Sequence, residues 1–173
     1  MKIFTSVSTN YHKKAFDVVI EGHDPMEFPF WRCSTVPSKE DPVEDLFIDP
    51  ELGHTGFTYL LSSGAEGVVL TDHVLRFNRD PEYLVKEMLY DLSLTAADLL
   101  QRNDIGIRAL SRRLNTSPTQ IYRLVEPTFY GKSIDQMVRL LTSLGAKVRI
   151  GVEDPSPPRP LRTEDQETSR TSI

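Results

Sequence analysis

The chain has 173 residues, enough for one ordinary domain or two small ones, and its 39% apolar fraction is that of a soluble globular protein. Its one cysteine, Cys33, excludes an internal disulfide framework, and no Cys/His cluster has zinc-site spacing, so a reducing compartment is the simplest setting. The net charge is −5 but unevenly spread: residues 1–100 hold eight Lys/Arg against seventeen Asp/Glu, whereas residues 101–150 hold nine against three. A basic segment in an acidic protein suits an anionic partner, and the acidic remainder can orient it by repulsion.

The opening MKIFTSVSTNYHKKAFDVVIEG interrupts its apolar residues with polar ones every second or third position. It is neither a signal-peptide core nor the ~20 apolar residues of a spanning helix, so a cytoplasmic protein without membrane contact is expected. KIFTSVST, AFDVVIEG, VEDLFID, GFTYLLS and EGVVLT are short, rich in β-branched or aromatic residues and separated by turn signals. They predict a five-stranded, mostly antiparallel β module over residues 1–76, with a hairpin at Ser63-Gly64-Ala65. The loop over residues 24–42 has prolines and no period, which denies it regular structure. Its Phe28, Phe30 and Trp31 either fold back over the sheet or stand out as an aromatic anchor for a protein partner.

Asp80-Pro81-Glu82 supplies an N-cap, a proline at the first helical position and an acid in the first turn. Leu84, Val85, Met88, Leu89, Leu92, Ala96, Leu99 and Leu100 follow at helical spacing, predicting a helix to about Arg102, although Thr95-Ala96-Ala97-Asp98 leaves open a break into two. In IGIRALSRRL the apolar Ile107, Leu110 and Leu114 share one face, and Arg108, Arg112 and Arg113 take the other. Asn115 suits a left-handed C-cap, and Ser117-Pro118 caps and starts the next helix two residues later. Helices that close must cross steeply, as in a helix-turn-helix. Ile121 and Leu124 point inward on the second helix, leaving Thr119, Gln120, Tyr122 and Arg123 outside, before Glu126-Pro127 ends it. Ser133 caps a further helix carrying Ile134, Met137, Val138, Leu141 and Leu144. AKVRIGVE then alternates as a strand, closing a helical domain over residues 80–152, and residues 153–173 have almost no apolar content, so a disordered tail is expected.

The ordered set RALSRRLNTSPTQIYRLVEP resembles the Cro/repressor-like, XRE-type helix-turn-helix family, antitoxins of that type included. Its marks are a small residue mid-helix (Ser111), Leu114 before the turn, Ser117 at the helix start, then Ile121 and Arg123-Leu124. The resemblance covers roughly residues 95–152; SIDQMVRLLTSLGAKVRIGV is similar to the family's fourth helix followed by a short strand. It implies a DNA-binding domain whose recognition helix, here about residues 117–126, lies in the major groove of double-stranded DNA and regulates transcription. The chain departs from the family pattern at Arg108, Asn115, Pro118 and Tyr122. The expected base contacts are Thr119, Gln120, Tyr122 and Arg123, and the expected phosphate contacts are Arg108, Arg112, Arg113, Ser117 and Lys132. One such domain reads too few base pairs to find a genomic site, so a homodimer on two half-sites is expected.

Nothing in the sequence points to catalysis, a metal or a cofactor. His12, His23, His54 and His73 are scattered, and the neighbours His23-Asp24 and Asp72-His73 would face opposite sides of a strand. Cys33 has no visible partner base, and P-loop, GxGxxG and HExxH motifs are absent. The expected class is α+β: a β module, then a repressor-like helical domain ending in a short strand. The alternative to a DNA-binding regulator is an antitoxin-like protein or interaction adaptor, whose β module binds a protein and whose helix-turn-helix need not read DNA.

Overall fold

The computed structural model describes residues 2–152 and is α+β. Two three-stranded antiparallel sheets come first: β1 (Phe4–Asn10), β2 (Ala15–Ile20) and β3 (Met26–Pro29) in that order, then β4 (Val43–Ile48), β5 (Gly56–Leu61) and β6 (Glu66–Leu70). Alternation along the strands decides what is buried. Phe16, Val18 and Ile20 of β2 and Phe57, Tyr59 and Leu61 of β5 all point inward and are at most 1% exposed. The ring of Phe16 lies 5.0 Å from those of Phe57 and Tyr59, so the sheets meet face to face across one core. Ser63 and Gly64 turn β5 into β6, with Gly64 at φ +85 and the Leu61 amide donating to the Ala65 carbonyl at 2.8 Å.

Two expectations for this half need correction. The loop over residues 24–42 is not free of regular structure, because Met26–Pro29 forms β3 and Phe30–Arg32 a 3-10 turn. A proline is tolerated at the end of an edge strand, where no partner lies beyond to need its missing N–H, and Phe28 and Phe30 are drawn into the core. A short helix, α1 (Thr71–Phe77), also follows β6. Its single apolar turn, Val74-Leu75, is too brief for a periodic signal but closes the sandwich.

The long helix α2 (Pro81–Arg102) is continuous, and the Asp80 carboxylate accepts from the Tyr83 amide at 2.8 Å as its N-cap. The same carboxylate meets His23 Nε2 at 3.1 Å, while His23 Nδ1 faces the Glu21 carbonyl at 3.2 Å. This tie fixes the β2–β3 turn to the start of α2. Tyr83 at the start of α2 packs on the sandwich core, whereas Leu89 and Ala96 further along belong to a second core. That core is completed by α3 (Ile107–Leu114), α4 (Pro118–Val125) and α5 (Ile134–Ser143), with Leu110, Ile121, Met137 and Leu140 wholly buried. Alternating Ser93 and Ala96 on the inner face of α2 let α5 and α4 approach closely.

The strand expected over Lys147–Glu153 is absent from its described part, residues 147–152. A strand needs a neighbour with free backbone groups, and both sheets lie in the other half of the chain. Ala146 and Val148 pack on the helices instead, leaving Ile150 and Val152 at 75% and 90% exposure. The tail expected to be disordered, residues 153–173, lies outside the described residues. Among the described residues no helix is long and apolar enough to cross a membrane.

Candidate nucleic-acid interface

Three residues, Asn115 to Ser117, separate α3 from α4. Asn115 takes the left-handed conformation (φ 50, ψ 50) that lets α3 end abruptly, and the Thr116 amide returns to the Ser111 carbonyl at 3.0 Å. Ser117 Oγ accepts from the Gln120 amide at 3.1 Å, and Pro118 occupies the first helical position without leaving an N–H unsatisfied. On α3 the buried Ser111 donates its hydroxyl to the Ile107 carbonyl at 2.8 Å, a small side chain where α3 packs closely. The apolar stripe of α3 thus turns onto α4 and α5 and that of α4 onto α2 and α3, and the outer residues of both are fixed by that packing.

What remains outside is cationic. Arg108 and Arg112 stand one turn apart on α3, Arg113 beside them and Arg123 on α4, all exposed. Among the described residues none of the four pairs with a carboxylate, although other arginines do: Arg102 with Asp98, Arg139 with Asp135 and Arg76 with Glu87. Arg113 is held in place, donating to the Ser143 carbonyl at the end of α5 at 2.8 Å. Arg123 sits over the ring of Phe129, 5.9 Å from its centroid. Thr119 and Tyr122 project from the outer face of α4, with Tyr122 59% exposed, whereas Gln120 is half-buried.

Lys132 departs from its expected role as a phosphate contact. It is 7% exposed and its ammonium donates to the carbonyls of Leu124 and Glu126, at 3.3 and 2.6 Å. Burial pushes its pKa below the ordinary lysine value, which the neighbouring Glu126 carboxylate opposes. The side chain thus caps the C-terminus of α4, where helix carbonyls lack partners. Glu126 in turn accepts from the Thr128 hydroxyl and amide, which hold its carboxyl below the usual range and fold its charge into the following turn. Ser117 likewise has its hydroxyl oxygen engaged as the cap.

In the β half Phe28 and Phe30 are buried, but Trp31 is 65% exposed, with Arg32 stacked 4.7 Å over it and Phe77 set edge-on beside it. Sequence reasoning missed the pairing of His23 with Asp80, which are 57 positions apart and meet because the turn after β2 and the start of α2 are packed together. It also missed Phe129, whose part in placing Arg123 has no sequence signature. Burial pushes the Cys33 thiol up from its ordinary pKa, which disfavours the nucleophilic thiolate. Among the described residues no group of three or more His, Cys, Asp or Glu could hold a metal ion. No protein-family model, curated protein or solved structure matches the chain.

Proposed function

We propose that α3 and α4 form a helix-turn-helix that lays α4 in the major groove of double-stranded DNA, making the protein a sequence-specific transcriptional regulator. The observation that carries this reading is the outer surface of the two helices. Four arginines, Arg108, Arg112, Arg113 and Arg123, stand exposed on these helices without a carboxylate partner among the described residues, and Thr119 and Tyr122 of α4 are exposed as well. Guanidinium groups hold phosphates, and side chains in the first turns of α4 reach base edges. Thr119 and Tyr122 are the leading base contacts, and Gln120, half-buried, reaches a base only by swinging outward. Arg108 and Arg112 serve the backbone, with Arg113 fixed beside them by Ser143. Two copies acting on two half-sites supply the selectivity that one domain lacks.

The exposed Trp31 beneath Arg32 favours a second activity in the same chain, capture of a protein partner by the β module, because Trp and Arg dominate the energetics of protein interfaces. A gel-shift competition between selected genomic fragments and random DNA, repeated at several salt concentrations, tests the regulator reading. A preferred fragment bound far more tightly than random DNA supports it. Equal, weak binding to both, or none at low salt, leaves the adaptor reading in its place.

A further inference from the structure

The two sheets differ in what they turn away from the shared core. An antiparallel sheet with one face on a core ordinarily keeps polar side chains on the other. The sheet β1-β2-β3 does so: its outward positions include Ser8, Asn10, Asp17 and Glu27, with Asn10 donating to Asp17 at 2.8 Å and Lys13 paired with both carboxylates. The sheet β4-β5-β6 does not. Its register sets Phe47, Thr58 and Val68 in one outward row, and Leu60 in the next between Asp45 and Glu66. Thr58 adds no free polar group at the centre, because its hydroxyl donates to Asp49 at 3.0 Å. Leu52 extends the face over Gly56, where an added Cβ would come within 2.6 Å of the Leu52 Cδ1. Phe47, Leu52, Leu60 and Val68 are each between 36% and 44% exposed, an apolar surface with a charged rim of the kind that marks an interaction site.

Charge decides what covers it. Residues 40–75, which build this sheet and its turns, hold eight Asp/Glu and no Lys or Arg. A second copy of the face would set two such acidic surfaces together, which like-charge repulsion opposes. The arginine surface of another copy's α3 and α4 offers the opposite charge but, among the described residues, no large exposed apolar side chain except Tyr122. The chain beyond Val152 has only Leu161 and Ile173 besides its prolines, too few to cover four apolar side chains. We infer that the outer face of β4-β5-β6 docks a cationic amphipathic helix of a protein partner. Its apolar stripe lies across Phe47, Leu60 and Val68, and its flanking Lys or Arg meet Asp45 and Glu66. The outer strands of a three-stranded sheet stand about 10 Å apart, close to the ~10–12 Å diameter of one helix. Trp31 is not part of this face, since it follows β3 in the other sheet, and the inference does not depend on α4 reading DNA.

Fluorescence anisotropy of a labelled Leu/Lys peptide of about 18 residues, its leucines at helical spacing, titrated with the full-length protein at ~0.15 M salt, tests it. Saturable binding at one site per chain is expected. A Leu/Glu peptide of the same pattern should not bind, nor should a Leu/Lys peptide of the same composition with its leucines dispersed. Phe47→Ser should weaken binding about tenfold and Val68→Ser about fivefold, each removing one apolar contact. The double change Asp45→Asn with Glu66→Gln should weaken it about threefold, an effect that disappears near ~1 M salt. Ser8→Ala, on the outer face of the other sheet, should leave it unchanged. Phe47 and Val68 point away from the core, so each variant remains informative should the other fold poorly. No binding of the Leu/Lys peptide, equal binding of the acidic and dispersed peptides, or affinity indifferent to Phe47→Ser and Val68→Ser in folded variants would overturn the proposal. Binding lost with Trp31→Ala but with neither sheet variant would also overturn it, by moving the partner site to Trp31.

Discussion

Replacing Lys132 with methionine separates two roles that one lysine can play beside a helix. Methionine keeps the length of the buried stem but has no donor, so the Leu124 and Glu126 carbonyls lose the ammonium they now share. A hydrogen bond from a charged group contributes about 1.5–3 kcal/mol, and the cost of burying the ammonium, evident in its lowered pKa, offsets part of it. The net loss is therefore about 1–2 kcal/mol, or roughly 2–8 °C in Tm for a chain of this size. Thermal unfolding followed by circular dichroism measures that loss directly. In DNA binding, a cap acts by holding α4 in shape, so affinity should fall without change in the slope of log affinity against log salt. A phosphate contact behaves oppositely: its removal makes the slope shallower by about 0.9 per site and leaves Tm alone. Unchanged stability with a shallower slope would refute the capping assignment.

Arg108→Ala, by contrast, should leave Tm within about 0.5 kcal/mol of the parent and make the salt slope shallower by about 0.9 per subunit for every DNA sequence alike, read by salt-titrated gel shift. Thr119→Ala should relax preference at one base position per half-site, costing about 1–3 kcal/mol on the preferred site only, as competition with single-base variants of that site would reveal. Gly67→Ala would place a methyl 2.1 Å from the hydroxyl and ring of Tyr59, a side chain that is fully buried and bonded to the Thr35 carbonyl. Such overpacking costs at least about 1–3 kcal/mol, visible as a lower urea midpoint. The folded-state pKa of Glu126 lies below its ordinary 4.5, so the stabilisation it gives is complete above that pH and is lost as pH falls through the folded value. Glu126→Gln should lower Tm relative to the parent at neutral pH, and the difference should shrink on acidification below pH 4.5.

The helical half was legible in the sequence because its signals are local. Asp80-Pro81, Asn115, Ser117-Pro118 and Ser133 act within one turn of themselves, and helix ends fall at each of them. The apolar stripes of α3, α4 and α5 are set by the same 3.6-residue period that buries them, so Leu110, Ile121 and Leu141 were identifiable as core before any contact was known. The five alternating strands were legible for the same reason. What local signals could not supply was partnership between distant residues. β3 exists because β2 offers it an edge, and the segment from Lys147 to Val152, whose alternation is no worse, forms no strand because nothing offers it one. Lys132, beside a helix cap, reads from the sequence as a phosphate contact, and only the end of α4 placed against it shows its ammonium engaged by carbonyls. His23 with Asp80, and Arg123 over Phe129, each join residues that only the packing of the folded chain brings within reach. Propensity and period act over a few residues and fix the elements, whereas hydrogen-bond satisfaction and burial act through space and decide which side chains remain free to bind.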